Sequence, residues 1–180
     1  MDLIFGTPLW KIDSNSFDEK KITEEILSVQ RSDPDGMNVS NIGGYHSKDD
    51  INIPLVDEYI KGMLEGEGGL NFPHEVTGKW FNINGKGSSN KPHRHGFMGL
   101  SGVLFVTDAP GLILHNDDLF SPDILDNNNE PFTHGTVKIH GEPGQIVVFP
   151  STILHWVEPS ESDTPRITFA FNVRVNKITS

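Results

Sequence analysis

Apolar residues recur at two different periods along this chain, and the change of period falls near residue 74. Before it, Ile22, Ile26 and Val29 stand at helical spacing behind Ser16-Phe17-Asp18-Glu19, which matches a capping box. A helix is therefore predicted to run to the neighbourhood of Arg31 and to stop at Ser32-Asp33-Pro34-Asp35-Gly36. A second is predicted from Pro54, a favoured first helical residue, with Leu55, Tyr59 and Met63 on one face, until Gly66, Gly68 and Gly69 end it. Residues 2–10 read as a short strand or extended arm, and 37–50, with Gly43-Gly44, as a loop and strand.

After residue 74 the pattern becomes short strands between turns, predicted at 76–84, 93–106, 111–115, 134–140, 145–149, 153–158 and 166–175. Strands at that spacing predict a mainly β sandwich or barrel. The helical first part, 1–70, is expected to pack on one sheet of a β core over 74–176, as a single domain 1–180 with no internal repeat or linker. The polar insertion from Asn116 to Pro131 reads as a substrate-side lid or a plain surface loop, because structureless loops this long are uncommon in compact domains.

Composition narrows the chemistry. There are no cysteines, so a disulfide framework, a thiolate metal site and a cysteine nucleophile are all excluded, and any metal must be held by His, Asp or Glu. The 14 basic against 25 acidic residues give a formal charge of -11, which disfavours nucleic acid as a general partner. The first ten residues lack a basic start and a long apolar segment, and no later run reaches membrane-spanning length. A soluble cytoplasmic protein is expected.

The candidate site begins at Asn90-Lys91-Pro92-His93-Arg94-His95. On an extended strand His93 and His95 face the same side and can grip one ion. His155 supplies a third imidazole, and Arg166 follows it on the last predicted strand with Thr168 on the same face. Three neutral imidazoles suit Fe(II), Zn(II), Ni(II) or Cu(II) without choosing among them. Arg166 is a ready bidentate partner for a carboxylate, to which Thr168 can add a hydroxyl. Metal and clamp together suggest a small oxo-acid bridging the two, although Arg166 could instead pair with a carboxylate such as Glu158.

The pieces Phe5-Gly6-Thr7-Pro8-Leu9-Trp10, Asn41-Ile42-Gly43-Gly44-Tyr45-His46-Ser47, Trp80-Phe81-Asn82-Ile83-Asn84, Asn90-Lys91-Pro92-His93-Arg94-His95, Leu100-Ser101-Gly102-Val103 and Phe149-Pro150-Ser151 through Arg166-Ile167-Thr168-Phe169-Ala170-Phe171-Asn172 resemble those of the 2-oxoglutarate and Fe(II)-dependent oxygenases of bacteria and marine phages. The resemblance implies a double-stranded β-helix, a jelly-roll or cupin-like core with supporting N-terminal helices, holding Fe(II) and 2-oxoglutarate at its open end. It implies that His93 and His155 are metal ligands and that Arg166, with Thr168, binds the distal carboxylate of 2-oxoglutarate. It also implies the use of dioxygen on a small-molecule or peptide substrate, releasing succinate and CO2, in the host cytoplasm if the chain is phage-encoded. The departure is His95, where the wider superfamily has Asp or Glu. Either a three-His site or a two-His site completed by water follows. Asn82 and Asn84 are candidates for contacts to the cosubstrate or its hydrogen-bond shell.

Two alternatives stand beside that reading: a cupin-like three-His dioxygenase or isomerase that needs no oxo-acid, and a non-catalytic metal-binding jelly-roll. His46, His74, His115, His134 and His140 lack comparable spacing and read as surface or hydrogen-bonded residues. Trp80, Phe81, Phe149 and Phe171 read as core, and Trp156 as packing on the face opposite His155. A flat sheet or helix face leaves a homodimer open.

Overall fold

The computed structural model describes residues 7–14, 16–96, 99–115 and 135–176. The polar insertion, His134 and the start of the N-terminal arm lie outside the described residues. Thirteen elements are present among the described residues: β1 (Trp10–Ile12), α1 (Glu19–Ser32), β2 (Asn41–Ile42), β3 (Tyr45–His46), α2 (Pro54–Glu65), β4 (His74–Asn84), β5 (Ser89–His93), β6 (Leu100–Phe105), β7 (Ala109–His115), β8 (Thr136–Gly141), β9 (Ile146–Pro150), β10 (Leu154–Val157) and β11 (Arg166–Val175).

The strands form a six-stranded sheet, ordered β1-β9-β6-β11-β4-β3, and a five-stranded sheet, ordered β2-β5-β10-β7-β8. From β4 to β11 the chain passes back and forth between the two sheets, and paired strands run antiparallel. The expected two-sheet β core is thus formed. Both helices lie against the outer face of the larger sheet.

The alternation along β11 shows how the layers are made. Ile167, Phe169, Phe171 and Val173 point outward into a core shared with Ile22 and Ile26 of α1 and Val56, Ile60 and Leu64 of α2. Arg166, Thr168 and Ala170 point the other way and line a cavity between the sheets. The same period of two runs along β4, with Phe81 and Ile83 under the helices and Trp80 and Asn82 facing inward. Fully burying one such large apolar side chain stabilises the fold by about 1.5–3 kcal/mol. A smaller apolar cluster, with Phe105, Leu112, Leu114, Ile139, Val147 and Phe149, closes the inter-sheet space at one end.

Several boundaries differ from expectation. The first helix starts at Glu19, because Asp18 caps it: its carboxylate accepts the Lys21 N–H at 3.1 Å. An Asp there satisfies an orphan donor and places negative charge at the positive helix end, so Ser16 is left outside. The second helix starts at Pro54 as predicted, but its buried face is Val56, Ile60 and Leu64, one residue on from the predicted Leu55, Tyr59 and Met63, which flank it partly buried. The long strand predicted over 93–106 is two strands: β5 ends at His93 and β6 begins at Leu100. His95 consequently sits on the connection, not on a strand. In β4 the pairing with β11 skips Gly78, a bulge with φ +55°, where a non-glycine residue is strained. Among the described residues no helix is long and apolar enough to cross a membrane.

Candidate metal centre

The end of β5 and the middle of β10 are hydrogen-bonded neighbours, with His93 directly opposite His155. The bend after His93 returns His95 to the same spot. Its backbone N–H donates to Ser151 O at 3.0 Å, while Ser151 donates its own N–H to Gly99 O at 3.1 Å and its hydroxyl to Gly96 O at 2.7 Å. Buried Ser151 thus clamps both arms of the loop that carries His95. The result is a compact triad: His93, His95 and His155 each offer one ring nitrogen, and these lie within 4.8 Å of one another.

Hydrogen bonds decide which nitrogen is offered. His93 Nδ1 donates to Lys91 O at 2.7 Å and His155 Nδ1 to Ile153 O at 2.9 Å, since a backbone carbonyl can only accept. Nδ1 of His95 lies 2.8 Å from Asn172 Oδ1 and 2.9 Å from Ser101 Oγ. With each Nδ1 engaged, Nε2 is the free donor on all three rings. Burial holds the three imidazoles below their ordinary pKa, His155 to about 3, with smaller opposing help to the charged form from its bond to Ile153 O. They are therefore neutral near pH 7, as metal ligands must be. Phe149 packs edge-on to the His155 ring, and Trp80 lies 5.5 Å from the His95 ring, centroid to centroid.

Behind the triad, Arg166 is 4% exposed. It donates from one terminal nitrogen to Pro110 O at 2.8 Å and from the other to Glu158 O at 3.1 Å, while its Nε–H has no partner among the described residues. Five N–H donors less two leaves three for a ligand. The Glu158 carboxylate pairs with Lys138, so the Arg–carboxylate pairing considered from sequence is replaced by a bond to the Glu158 carbonyl. Burial lowers the guanidinium pKa, the nearby Glu158 charge opposing it, and arginine stays protonated all the same. Thr168 and Asn82, paired across β11 and β4, join Arg166 in the cavity lining. Asn84 lies on the same face but one layer behind, donating to Asn90 Oδ1 at 2.9 Å; Asn90 in turn reaches Ser40 Oγ at 3.2 Å.

The cavity lining brings together His93, His95, His155, Arg166, Thr168 and Asn82, and leaves Asn84 behind it. His95 is not on a strand with His93, because the chain breaks pairing at Arg94 to return to Ser151. Trp80 is not core: its parity with Asn82 puts it beside His95, whereas Phe81, Phe149 and Phe171 are buried. Buried His46 stacks on Trp80 at 5.8 Å, outside the triad. His74 and His115 are hydrogen-bonded to Phe72 O and Thr136 Oγ1, and His140 pairs with Asp108. Trp156 packs beside the His115 ring. Asn172, Ser101 and Ser151 stand within the quoted motifs but carry no assigned role there. Asn172 was findable, because it continues the Arg166, Thr168, Ala170 alternation; Ser101, a lone hydroxyl in an apolar run, gave a weaker signal.

Donor set and clamp fit a divalent first-row ion and a carboxylate ligand. No curated protein sequence matches the chain. Among solved structures it is similar to a Pseudomonas putida prolyl-4-hydroxylase (15% identity, TM-score 0.61, covering 95% of this chain and 94% of that one). It is also similar to HygX from Streptomyces hygroscopicus, determined with nickel and 2-oxoglutarate bound (10%, 0.61, 94% and 83%). A third is a Trichoplax adhaerens prolyl hydroxylase, in complex with a hypoxia inducible factor peptide fragment (12%, 0.62, 93% and 83%). At these identities the likeness establishes the fold, a double-stranded β-helix. The sequence profile of the 2OG-Fe(II) oxygenases matches residues 78–172, more than half of the chain and all of the site just described, so this protein belongs to that family, with Fe(II) and 2-oxoglutarate as its cofactor and cosubstrate.

Proposed function

We propose that the chain is a 2-oxoglutarate-dependent hydroxylase in which His93, His95 and His155 hold Fe(II) and Arg166 takes the distal carboxylate of 2-oxoglutarate. The observation that carries this is the convergence of three imidazole nitrogens on a cavity whose lining also holds Arg166 with donors to spare. Thr168 adds a hydroxyl beside Arg166, Asn82 faces the cosubstrate, and Asn84 orients its neighbours through Asn90. When bound, Fe(II) and 2-oxoglutarate supply dioxygen-dependent oxidation of a substrate C–H bond, with release of succinate and CO2. The chain's own contribution is positioning and exclusion of water. Arg166, anchored by two backbone carbonyls, presents a fixed charge; Phe149, Leu112 and Val157 keep that side of the cavity dry.

The whole of 1–180 acts as one domain, supported by a core shared between both helices and the larger sheet. Its substrate is a small molecule or peptide, and it works in the cytoplasm. A second reading follows from one observation: the two carbonyl bonds of Arg166 are what a purely structural arginine would make, and a three-His site without 2-oxoglutarate would then remain.

The test is anaerobic titration with Fe(II) and then 2-oxoglutarate, watching the visible metal-to-ligand charge-transfer band of the chelate. The band is expected in the wild type, absent in His155→Ala and weakened in Arg166→Ala. Iron bound without any band would sink the 2-oxoglutarate assignment in favour of the second reading.

A further inference from the structure

The three imidazoles are held by two kinds of partner. His93 and His155 donate to the carbonyl two residues earlier in their own segments, a contact made within one stretch of chain. His95 has left its strand and has no such carbonyl. Its Nδ1 meets Asn172 Oδ1 on β11 and Ser101 Oγ on β6 instead. Those two residues are direct cross-strand partners in the larger sheet, so they form a two-pronged acceptor around one nitrogen. Ser101 is buried and Asn172 half-buried, which protects the contact from competing water.

We propose that the Asn172–Ser101 pair is the positioning device that makes His95 a metal ligand. By holding the proton on Nδ1 it presents the Nε2 lone pair to the ion; without it, a ring on a loop can turn, or place its proton on Nε2 and cease to be a donor. The inference rests on the three-histidine assignment above and extends it from the ligands to what orients them. The pair explains how a neutral histidine functions where a strand-borne geometry is lacking.

Cu(II) serves as the probe, because nitrogen superhyperfine structure in its electron paramagnetic resonance spectrum counts coordinated imidazoles. Wild type is expected to show three nitrogens and His95→Ala two. Asn172→Leu should show two nitrogens, with Cu(II) affinity reduced about 10–100-fold, the usual effect of removing an outer-shell partner. Asn172→Asp should restore three, because a carboxylate accepts the Nδ1 proton, whereas Ser101→Ala should keep three with a few-fold weaker affinity. Three nitrogens and undiminished affinity in Asn172→Leu would overturn the proposal, as would loss of the third nitrogen in Asn172→Asp. Should Asn172→Leu fail to fold, the Asn172→Asp arm decides. A wild-type spectrum with two nitrogens, unchanged in His95→Ala, would instead overturn the ligand assignment on which the proposal stands.

Discussion

The two faces of the larger sheet are built from the same strands and do different work. On β11, Phe169 and Phe171 are fully buried under the helices, while Arg166 and Thr168, the latter adjacent to Phe169 in sequence, line the cavity. The outer face is held by shape and loss of apolar surface to water, which is insensitive to small rotations of any one ring. The inner face is held by directed hydrogen bonds, each of which matters by its angle and proton. Stability and chemistry are therefore separable by single substitutions at adjacent positions. A period of two makes this possible without lengthening the chain.

The largest expected effect is on the outer face. Phe169→Ala should lower unfolding free energy by about 3–5 kcal/mol, a large part of a typical domain's stability, as read from the denaturant midpoint. The folded fraction should still bind metal as wild type does. If metal affinity fell in proportion, the two faces would not be independent.

Next comes the inner face at Arg166. Arg166→Ala should weaken 2-oxoglutarate binding about 10–150-fold, corresponding to the roughly 1.5–3 kcal/mol of a hydrogen bond to a charged group. Fe(II) affinity should be preserved and the apoprotein should lose less stability than in Phe169→Ala. Arg166→Lys should recover little, since an ammonium cannot reproduce the planar fork. Equal loss of iron and oxo-acid binding would erase the distinction between triad and clamp.

Acidity sharpens the comparison because the three imidazoles lie on the inner side, in the cavity lining. His155 is neutral in the fold down to about pH 3 but has an ordinary pKa of 6.5 when released. Between those values the unfolded chain binds one more proton than the folded one, so stability must fall as pH is lowered through that window. The slope for one such group is about 1.4 kcal/mol per pH unit. The stability difference between apo wild type and His155→Gln should shift accordingly between pH 6.5 and 4, against the wild type at the acid end. A difference independent of pH would mean that the ring is not buried in the neutral form.

The smallest effect joins the faces. Gly78→Ala forces a side chain into φ +55° and puts its Cβ 3.0 Å from Asn172 Nδ2. A loss of roughly 1 kcal/mol is expected from the backbone alone. Any change in the Cu(II) nitrogen count would show that the bulge also aims Asn172 at His95.

How much of this was legible depended on whether the determining contacts are local. The apolar spacing of α2, the register-independent alternation of β11 and the strand-borne positions of His93 and His155 are properties of neighbouring residues, and reading them in order located two of the three clustered imidazoles and the buried arginine behind them. Helix α1 begins two residues later than the capping-box reading because two plausible caps, Ser16 and Asp18, compete, and only the tertiary path of the chain selects between them. The motif resemblance carried the order of the site residues further than spacing could.

Period and chemistry along the chain, then, determined a helical first part, a β core, a cysteine-free trio of candidate histidine ligands and an arginine after the last histidine. Tertiary structure alone decided that β5 stops at His93, that Ser151 pulls the following loop back, and that the His95 Nδ1–H meets its acceptors on Asn172 and Ser101. The physical reason is the distance in sequence: these partners lie between 6 and 77 residues from the ring they hold. No local periodicity links such positions. Only the pairing of β11 with β6 brings their side chains to one nitrogen.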